Sequence, residues 1–240
     1  MKPLVLVHGF MGGSAQWASQ GALGQRRDLI CLDLPGFGKN AGMAPVNSIP
    51  AFAEWVLAEL TQRGVKRFDL LGHSMGGMIV QEMTRLAPGR VDRLVLYGTG
   101  AVGVLPGRFE SIETSMRRAR ADGATVTARR IAATWFLRRE AAAEFPACAA
   151  IAEESGLPAI LAGLEAMQEW SGLGHLASIT APTLVLWGDC DRTYPWPQVE
   201  RLWQSIPTCN LAVVPACAHA VHLERPRLFN QLVSGFLGED

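Results

Sequence analysis

The chain lacks the cysteine pattern of a disulfide framework or of a zinc site. Its 240 residues include an odd number of cysteines, and none stands in a Cys-x-x-Cys pair: Cys31, Cys148, Cys190, Cys209 and Cys217. Disulfide-rich domains and structural zinc sites both need paired or clustered cysteines. We therefore expect reduced thiols, and a chain of this length can bury a core without metals or cross-links.

A net charge and long apolar runs are also missing. Lys plus Arg number 22, as do Asp plus Glu, so no overall field draws the chain to nucleic acid or to an anionic membrane. The first apolar run, residues 1–7, ends at His8 and is too short for a signal peptide or a membrane span. We expect a soluble cytoplasmic protein that acts on small molecules.

Short apolar runs recur along the chain, each closed by Gly, Pro or Asp. They cover residues 4–7, 29–34, 68–71, 94–97, 183–187 and 211–214. Nearly continuous apolarity is typical of strands buried on both faces of a parallel sheet. Amphipathic stretches such as residues 49–63 and 75–86 lie between the runs and predict helices. The alternation predicts an α/β fold with a mostly parallel, doubly wound sheet of about six strands.

The alternation stops after Gly100 and resumes at Thr183. The intervening residues are rich in Ala, Arg and Glu and predict helices over residues 108–122, 126–154 with a break at Pro146, and 157–170. An insertion after the fourth predicted strand would cover the sheet edge where open α/β folds bind ligands. We therefore divide the chain into a core of residues 1–100 and 181–240 and a helical lid of residues 101–180.

A Gly-x-Ser-x-Gly pattern marks a candidate nucleophile. Gly72-His73-Ser74-Met75-Gly76 stands between a predicted strand and a predicted helix. At such a turn the serine backbone is strained, and small residues two places on either side let strand and helix pack closely. The pattern predicts that Ser74 is a nucleophile, while a structural reading would make it a helix N-cap.

Two loops offer partners for this serine. A serine hydroxyl is a poor nucleophile at neutral pH, so it needs a base within reach and a group that orients the base. Asp189 and Asp191 follow one predicted strand, and His219 and His222 follow the next. Both loops lie at carboxyl ends of strands, as Ser74 does. The residues alone leave the choice within each pair open.

Five ordered motifs give the chain a resemblance to the α/β-hydrolase superfamily over nearly its whole length. They are Leu6-Val7-His8-Gly9-Phe10, residues 33–38, residues 72–77, residues 187–195 and residues 219–226. The resemblance implies an α/β-hydrolase fold with a Ser-His-Asp triad. In this family the acid stands three residues after the glycine that ends its strand, which selects Asp191. The base stands five residues before a glutamate, which selects His219.

The same resemblance implies an oxyanion hole. The expected donors are the backbone N–H of Phe10, in the His-Gly-x loop, and of Met75, at the start of the helix after Ser74. A second imidazole is not needed by this chemistry, so His8 and His73 are expected to pack or to form hydrogen bonds within their motifs.

The predicted lid offers an apolar lining and many charges. Its large apolar residues either line an acyl pocket or only pack the helices onto the core: Met116, Trp135, Phe136, Met167 and Trp170. Arginines crowd its first part and glutamates the rest. These charges either neutralise one another as solvated faces or offer a docking surface for an anionic substrate, such as one linked to a carrier protein.

The expected activity is hydrolysis of a carboxylic ester, lactone or thioester, without cofactor or metal. The chain resembles single-domain carboxylesterases, enol-lactone hydrolases and carrier-protein methyl-ester esterases. An alternative is a lyase or carbon–carbon hydrolase using the same triad, like the menaquinone-pathway synthase of this fold. That synthase typically has Tyr and Arg where this chain has His73 and Met78. A non-catalytic ligand receptor is the third possibility.

The position of the first motif bears on the sheet edge. Family members usually have a pair of strands before the His-Gly strand, whereas here three residues precede that strand. We expect the sheet to lack this pair, so that residues 29–34 form an apolar edge strand. Because exposed edges attract pairing, our hypothesis is that a partner subunit in a homodimer covers it.

Overall fold

One parallel sheet forms the centre of the molecule. The structure, a computed structural model, describes residues 2–104, 106 and 110–238. The six strands are β1 (Leu4–Val7), β2 (Leu29–Leu32), β3 (Phe68–His73), β4 (Val91–Tyr97), β5 (Thr183–Gly188) and β6 (Cys209–Val214). Their order is β2-β1-β3-β4-β5-β6, and all neighbouring pairs are parallel. The predicted class and strand number are confirmed, and β2 lies at an edge as expected.

Helices cover both faces of the sheet. They are α1 (Ile49–Gln62), α2 (Met75–Leu86), α3 (Ile112–Asp122), α4 (Ala124–Ala133), α5 (Phe145–Glu153), α6 (Leu157–Gln168), α7 (Trp196–Ser205), α8 (Val221–Glu224) and α9 (Pro226–Leu237). Alternate strand residues enter opposite cores. Leu70 belongs to the core that also contains residues of α1, α2, α7 and the inserted helices, whereas Leu71 belongs to the core that contains residues of α9 and of the 3-10 helix Ser14–Gly24. The sheet is therefore doubly wound, as predicted.

The second strand is shorter than predicted. β2 ends at Leu32, not at residue 34. The Leu34 N–H donates to His8 Nε2 at 3.0 Å instead of continuing the ladder with β1. A side chain of the first motif thus ends the strand, and an apolar run alone cannot reveal such a partner.

The insertion between β4 and β5 is helical, but one predicted helix was wrong. Residues 126–154 do not form one stretch broken at Pro146: α4 ends at Ala133 and α5 begins at Phe145. Pro146 lies in the first turn of α5, where its missing N–H costs nothing because that N–H would have no partner. Within the described part of residues 101–180 there is no strand, only an isolated bridge between Val102 and Ser171.

The first inserted helix starts later than its predicted first residue, Arg108. The predicted residues Arg108 and Phe109 lie outside the described residues. α3 begins at Ile112, and the side chain of Ser111 accepts the N–H of Thr114 at 3.1 Å. This hydrogen bond satisfies one of the first free N–H groups of the helix and marks its start.

Helix length and apolarity decide whether a segment can cross a membrane. Over the described residues, no single helix is long and apolar enough to cross a bilayer. α5 and α6 meet the criterion only when taken together, across a bend of 98°.

Candidate active site

Ser74 lies at a strained turn between β3 and α2. Its φ is 57° and its ψ is −121°, a conformation that costs a non-glycine residue about 1–3 kcal/mol. A Cβ on Gly72 would lie 2.4 Å from the Gly76 carbonyl oxygen, and one on Gly76 would lie 2.3 Å from that of Val7. Glycine at both positions therefore allows the close approach of strand and helix that the spacing predicted.

The loops after β5 and β6 bring a carboxylate and an imidazole together. His219 Nδ1 lies 2.8 Å from Asp191 Oδ2, and both side chains are buried. Asp191 Oδ1 accepts the backbone N–H groups of Thr193 at 2.7 Å and Tyr194 at 3.1 Å, which fix the carboxylate. With the Nδ1 proton directed at the carboxylate, Nε2 is the nitrogen that can accept a proton.

The two alternative residues lie apart from this pair. Asp189 is exposed, and its Oδ1 lies 3.4 Å from the Cys217 backbone nitrogen, which donates to it. His222 is buried, with Nδ1 3.0 Å from the Tyr97 hydroxyl. Burial lowers the pKa of His222 to about 3, with a smaller contribution from repulsion by His219. His222 is thus a neutral group inside the core.

His219 lies beside the residue that precedes Ser74 in the chain. The ring of His73, next to Ser74 in the chain, lies 4.5 Å from the His219 ring. The ring of Tyr194 stacks on His219 at 5.6 Å. The described residues contain no hydrogen bond between Ser74 Oγ and His219 Nε2. Such bonds between catalytic groups commonly tighten only when substrate binds.

The two expected oxyanion donors lie in the loop beside Ser74 and at the start of α2. A Cβ on Gly9 would lie 2.9 Å from Ser74 Cβ, so the loop carrying Phe10 passes beside the serine. Met75 is the first residue of α2. In the part of the chain that the structure describes, neither the Phe10 N–H nor the Met75 N–H donates to another protein group. Both are available to an external acceptor.

His8 and Asp33 hold the loop of the first motif in place. His8 Nδ1 donates to the Gly9 carbonyl at 2.8 Å, and its Nε2 accepts the Leu34 N–H. Burial lowers the pKa of His8 to about 4, so the ring is neutral and can act as donor and acceptor at once. Asp33 accepts both the N–H and the hydroxyl of Ser14. These bonds tie residues of the first motif and Asp33 of the second to their neighbouring loops.

Trp135 is the predicted pocket residue that the structure brings to His219. Its ring lies 6.5 Å from the His219 ring, and its carbonyl accepts the Ala220 N–H at 2.9 Å. The segment between α4 and α5 is therefore bonded directly to the loop that carries the imidazole.

The other four predicted pocket residues pack within the insertion or against the core. Trp170 Nε1 donates to Glu82 Oε1 of α2 at 2.9 Å. The ring of Phe136 lies 6.3 Å from that of Phe145. Met167 is buried in the core on the α2 face of the sheet, and Met116 is partly buried against it. Their surroundings favour the alternative in which these residues only pack the helices onto the core.

Glu224 is a further site residue whose contacts the sequence did not reveal. Its Oε1 accepts the Leu137 N–H at 2.7 Å, and its Oε2 accepts the Ala218 N–H at 2.7 Å and the Cys217 thiol at 3.3 Å. The family motif places a glutamate here, but its partners come from the insertion and from the loop before His219. The carboxylate joins these two segments.

Some charges of the insertion pair with one another. Glu110 accepts from Arg118 at 3.1 Å and from Arg130 at 2.9 Å, and Arg129 pairs with Glu153 at 3.0 Å. These contacts favour the interpretation of mutually neutralising faces. Over the described residues, no group of three or more His, Cys, Asp or Glu side chains is arranged to hold a metal ion.

A model of the alpha/beta hydrolase family matches residues 4–232. The chain is 30% identical to the dihydrolipoyllysine-residue acetyltransferase component of the acetoin cleaving system of Pseudomonas putida, over 98% of this chain and 63% of that protein. It is 29% identical to a protein of Azorhizobium caulinodans named as the carbamate hydrolase RutD, over 99% of this chain and 91% of that one.

Two further proteins match the chain over nearly its whole length. It is 28% identical to the pimeloyl-[acyl-carrier protein] methyl ester esterase of Pectobacterium atrosepticum, over 97% of this chain and 93% of that one. The crystal structure of the enol-lactonase from Burkholderia xenovorans superimposes with a TM-score of 0.90, at 23% identity and over 99% and 92% of the two chains. At that identity the structural likeness shows a shared fold.

Proposed function

The chain belongs to the alpha/beta hydrolase family, and we propose that it is a serine hydrolase that cleaves a carboxylic ester, lactone or thioester through an acyl-enzyme. The observation that carries the proposal is the arrangement at one edge of the sheet. A serine at φ 57° follows β3, and a buried His219–Asp191 pair follows the two strands beyond β4. This is the set of groups that nucleophilic acyl transfer requires.

In the proposed reaction Ser74 Oγ attacks the substrate carbonyl carbon while His219 Nε2 takes the hydroxyl proton. Asp191 keeps the Nδ1–H tautomer and stabilises the imidazolium that forms. The N–H groups of Phe10 and Met75 donate to the oxyanion of the tetrahedral intermediate. Losing one such donor costs about 3–4 kcal/mol in enzymes where this has been measured.

The intermediate then collapses to an ester of Ser74. The bond between the carbonyl carbon and the leaving oxygen or sulfur breaks, and His219 returns its proton to the leaving group. A water molecule, deprotonated by His219, attacks the acyl carbon. The bond from that carbon to Ser74 Oγ then breaks, His219 returns the proton to Oγ, and the carboxylic acid is released. Every proton is carried by groups of this chain and by water, so the proposed steps need no cofactor.

We propose that Trp135 forms one wall of the acyl pocket, because its ring is near His219 and 8% of its surface is exposed. Replacing it with alanine should then shift the preferred p-nitrophenyl ester to a longer acyl chain. Trp203→Ala, which removes an exposed indole from α7, is the matched control and should leave the preference unchanged.

Turnover of a substrate panel tests the proposal. The panel contains p-nitrophenyl esters, lactones, a thioester, a carbamate and a carrier-protein-linked methyl ester; the last two follow from the names of relatives. We expect turnover of at least one ester, lactone or thioester and loss of nearly all of it in Ser74→Ala. Turnover of vinylogous dicarbonyl or enol substrates alone would favour the lyase or carbon–carbon hydrolase. Ester turnover that Ser74→Ala leaves unchanged would contradict the proposal.

A further inference from the structure

Two buried hydrogen bonds converge on the backbone carbonyl of His219. The Tyr97 hydroxyl donates to this oxygen at 2.8 Å, and His73 Nε2 lies 3.2 Å from it. We propose that His73 and Tyr97 are positioning residues, which hold the His219 backbone at a fixed place relative to Ser74. The inference rests on the proposed function, because it assigns a role to groups around the proposed base.

Both donors are themselves attached to the proposed nucleophile. His73 precedes Ser74 in the chain, and the Ser74 N–H donates to the Tyr97 carbonyl at 3.0 Å. The three hydrogen bonds therefore close a loop that runs from Ser74 through Tyr97 to His219 and back through His73. A shift of the loop after β6 away from Ser74 has to break at least one of the two buried bonds to the His219 carbonyl.

Proton positions in this cluster follow from burial. Burial above all, with repulsion from His219 and His222, holds the pKa of His73 well below its ordinary value, so the ring is neutral and carries one N–H. Because Nε2 faces a carbonyl, which can only accept, that proton is on Nε2. Burial raises the pKa of Tyr97 well above its ordinary value, so its hydroxyl keeps the proton that it donates.

His222 uses the remaining hydrogen-bonding capacity of the Tyr97 hydroxyl. Its oxygen accepts the His222 backbone N–H at 3.1 Å and lies 3.0 Å from His222 Nδ1. The hydroxyl thus bonds to the loop at two residues, on either side of the turn into α8. The His73 ring stacks on Tyr97 at 4.4 Å, which leaves neither ring free to rotate away from the carbonyl.

Trp17 provides a matched control for packing. It is buried in the same cluster, with its ring 6.3 Å from His73 and 4.8 Å from His222. Its indole nitrogen has no hydrogen-bond partner among the described residues. Trp17→Phe therefore removes buried volume beside the cluster without removing a bond to His219.

The test compares Tyr97→Phe, His73→Phe, the double variant and the control, on the best substrate of the wild-type protein. Losing one hydrogen bond should lower kcat about 2- to 10-fold with KM nearly unchanged. The double variant should lose more than the product of the single losses, about 100-fold or more where each single loss is 10-fold, because the carbonyl is then unrestrained. His73→Gln, whose amide can place a donor near the former Nε2, should recover part of the loss. Trp17→Phe should lower the melting temperature and leave kcat unchanged.

Hydrogen exchange of the backbone amides of residues 217–222 gives a second readout that needs no turnover. Exchange should be faster in Tyr97→Phe and His73→Phe than in Trp17→Phe. Wild-type kcat and exchange in the double variant, or a His73→Gln variant as slow as His73→Phe, would overturn the positioning role. If the wild-type protein turns over no substrate, but hydrogen exchange is faster in Tyr97→Phe and His73→Phe, the positioning role is supported and the proposed function is contradicted.

Discussion

The backbone of Gly98 passes against the ring of His219. Gly98 has a φ of 51°, and a Cβ built on it would lie 3.2 Å from His219 Nδ1 and 3.3 Å from Cε1. We expect Gly98→Ala to displace the imidazole by a few tenths of an ångström and to lower kcat/KM about 10-fold or more, because acyl transfer depends on close alignment.

Gly64 supplies the control for backbone strain. Its φ is 72°, and a Cβ there would meet nothing within 4 Å. Gly64→Ala should therefore cost about 1 kcal/mol of stability, as Gly98→Ala also should, without changing kcat/KM. Equal kcat/KM losses in the two variants, measured at matched folded fraction, would contradict the contact with His219.

Contacts between distant residues mark the limit of sequence reasoning at this scale. Ser74 stands in a local Gly-x-Ser-x-Gly pattern, and the resemblance to the α/β-hydrolase superfamily selects Asp191 and His219, so one sequence is enough to propose them. For Tyr97 the sequence predicts only that it is the last apolar residue of a strand. Its hydrogen bond to His219 joins residues 122 positions apart. No local pattern could predict that bond.

Among the elements, the segment between α4 and α5 is attached to the loop before His219 by one carboxylate. Glu224 bonds to Leu137 in this segment and to Ala218 beside His219. We expect Glu224→Gln to weaken both contacts, because one amide oxygen replaces two carboxylate oxygens. Residues 134–144 should then be cleaved faster by protease, and the melting temperature should fall.

Glu144→Gln is the control, since Glu144 lines the same surface cavity of about 240 Å³ as Glu224 and its side chain has no hydrogen bond or ion pair among the described residues. It should leave the proteolysis rate at the wild-type value. Cleavage of residues 134–144 at one rate in the wild type and both variants would exclude the proposed role of Glu224.

The sequence predicted strands better than it predicted the inserted helices. Each strand is a short apolar run closed by a turn residue, and five of the six predicted runs lie within the observed strands. Residues 134–144 are rich in helix-forming residues, yet they leave the helix because Trp135 bonds to Ala220 beside His219 and Leu137 bonds to Glu224 of α8. Tertiary contacts override propensity there.

Across the whole molecule, three buried neutral histidines couple folding to pH. Burial lowers the pKa of His8 to about 4 and of His222 to about 3, and holds that of His73 well below its ordinary value of 6.5. Below pH 6.5 the unfolded chain takes up protons that the folded protein does not. Stability is therefore complete above pH 6.5 and is lost as the pH falls towards 4.

Urea unfolding between pH 7.5 and 5 measures this coupling. His8 and His222 should each remove about 2 kcal/mol of unfolding free energy between pH 7.5 and 5, and His73 should add to this loss. His175→Ala removes an exposed histidine and should leave the pH dependence unchanged. An unfolding free energy that stays constant over this range would show that these histidines are protonated in the folded state.

The sheet edge bears on the assembly of the molecule. β2 is an edge strand, with Leu29, Ile30 and Cys31 only half-buried. We propose that a second copy of the chain covers this edge, because uncovered edges promote pairing. Light scattering at micromolar concentration should give twice the 25.9 kDa chain mass. The mass of a single chain would count against the dimer.

The central claim is that Ser74 is a nucleophile activated by the His219–Asp191 pair. A fluorophosphonate probe, followed by peptide mass mapping, tests it most directly, because the probe needs an activated serine but not the right substrate. We expect one adduct on Ser74, strongly slowed labelling in His219→Ala and no adduct in Ser74→Ala. An unlabelled wild-type protein, or an adduct that persists in Ser74→Ala, would contradict it.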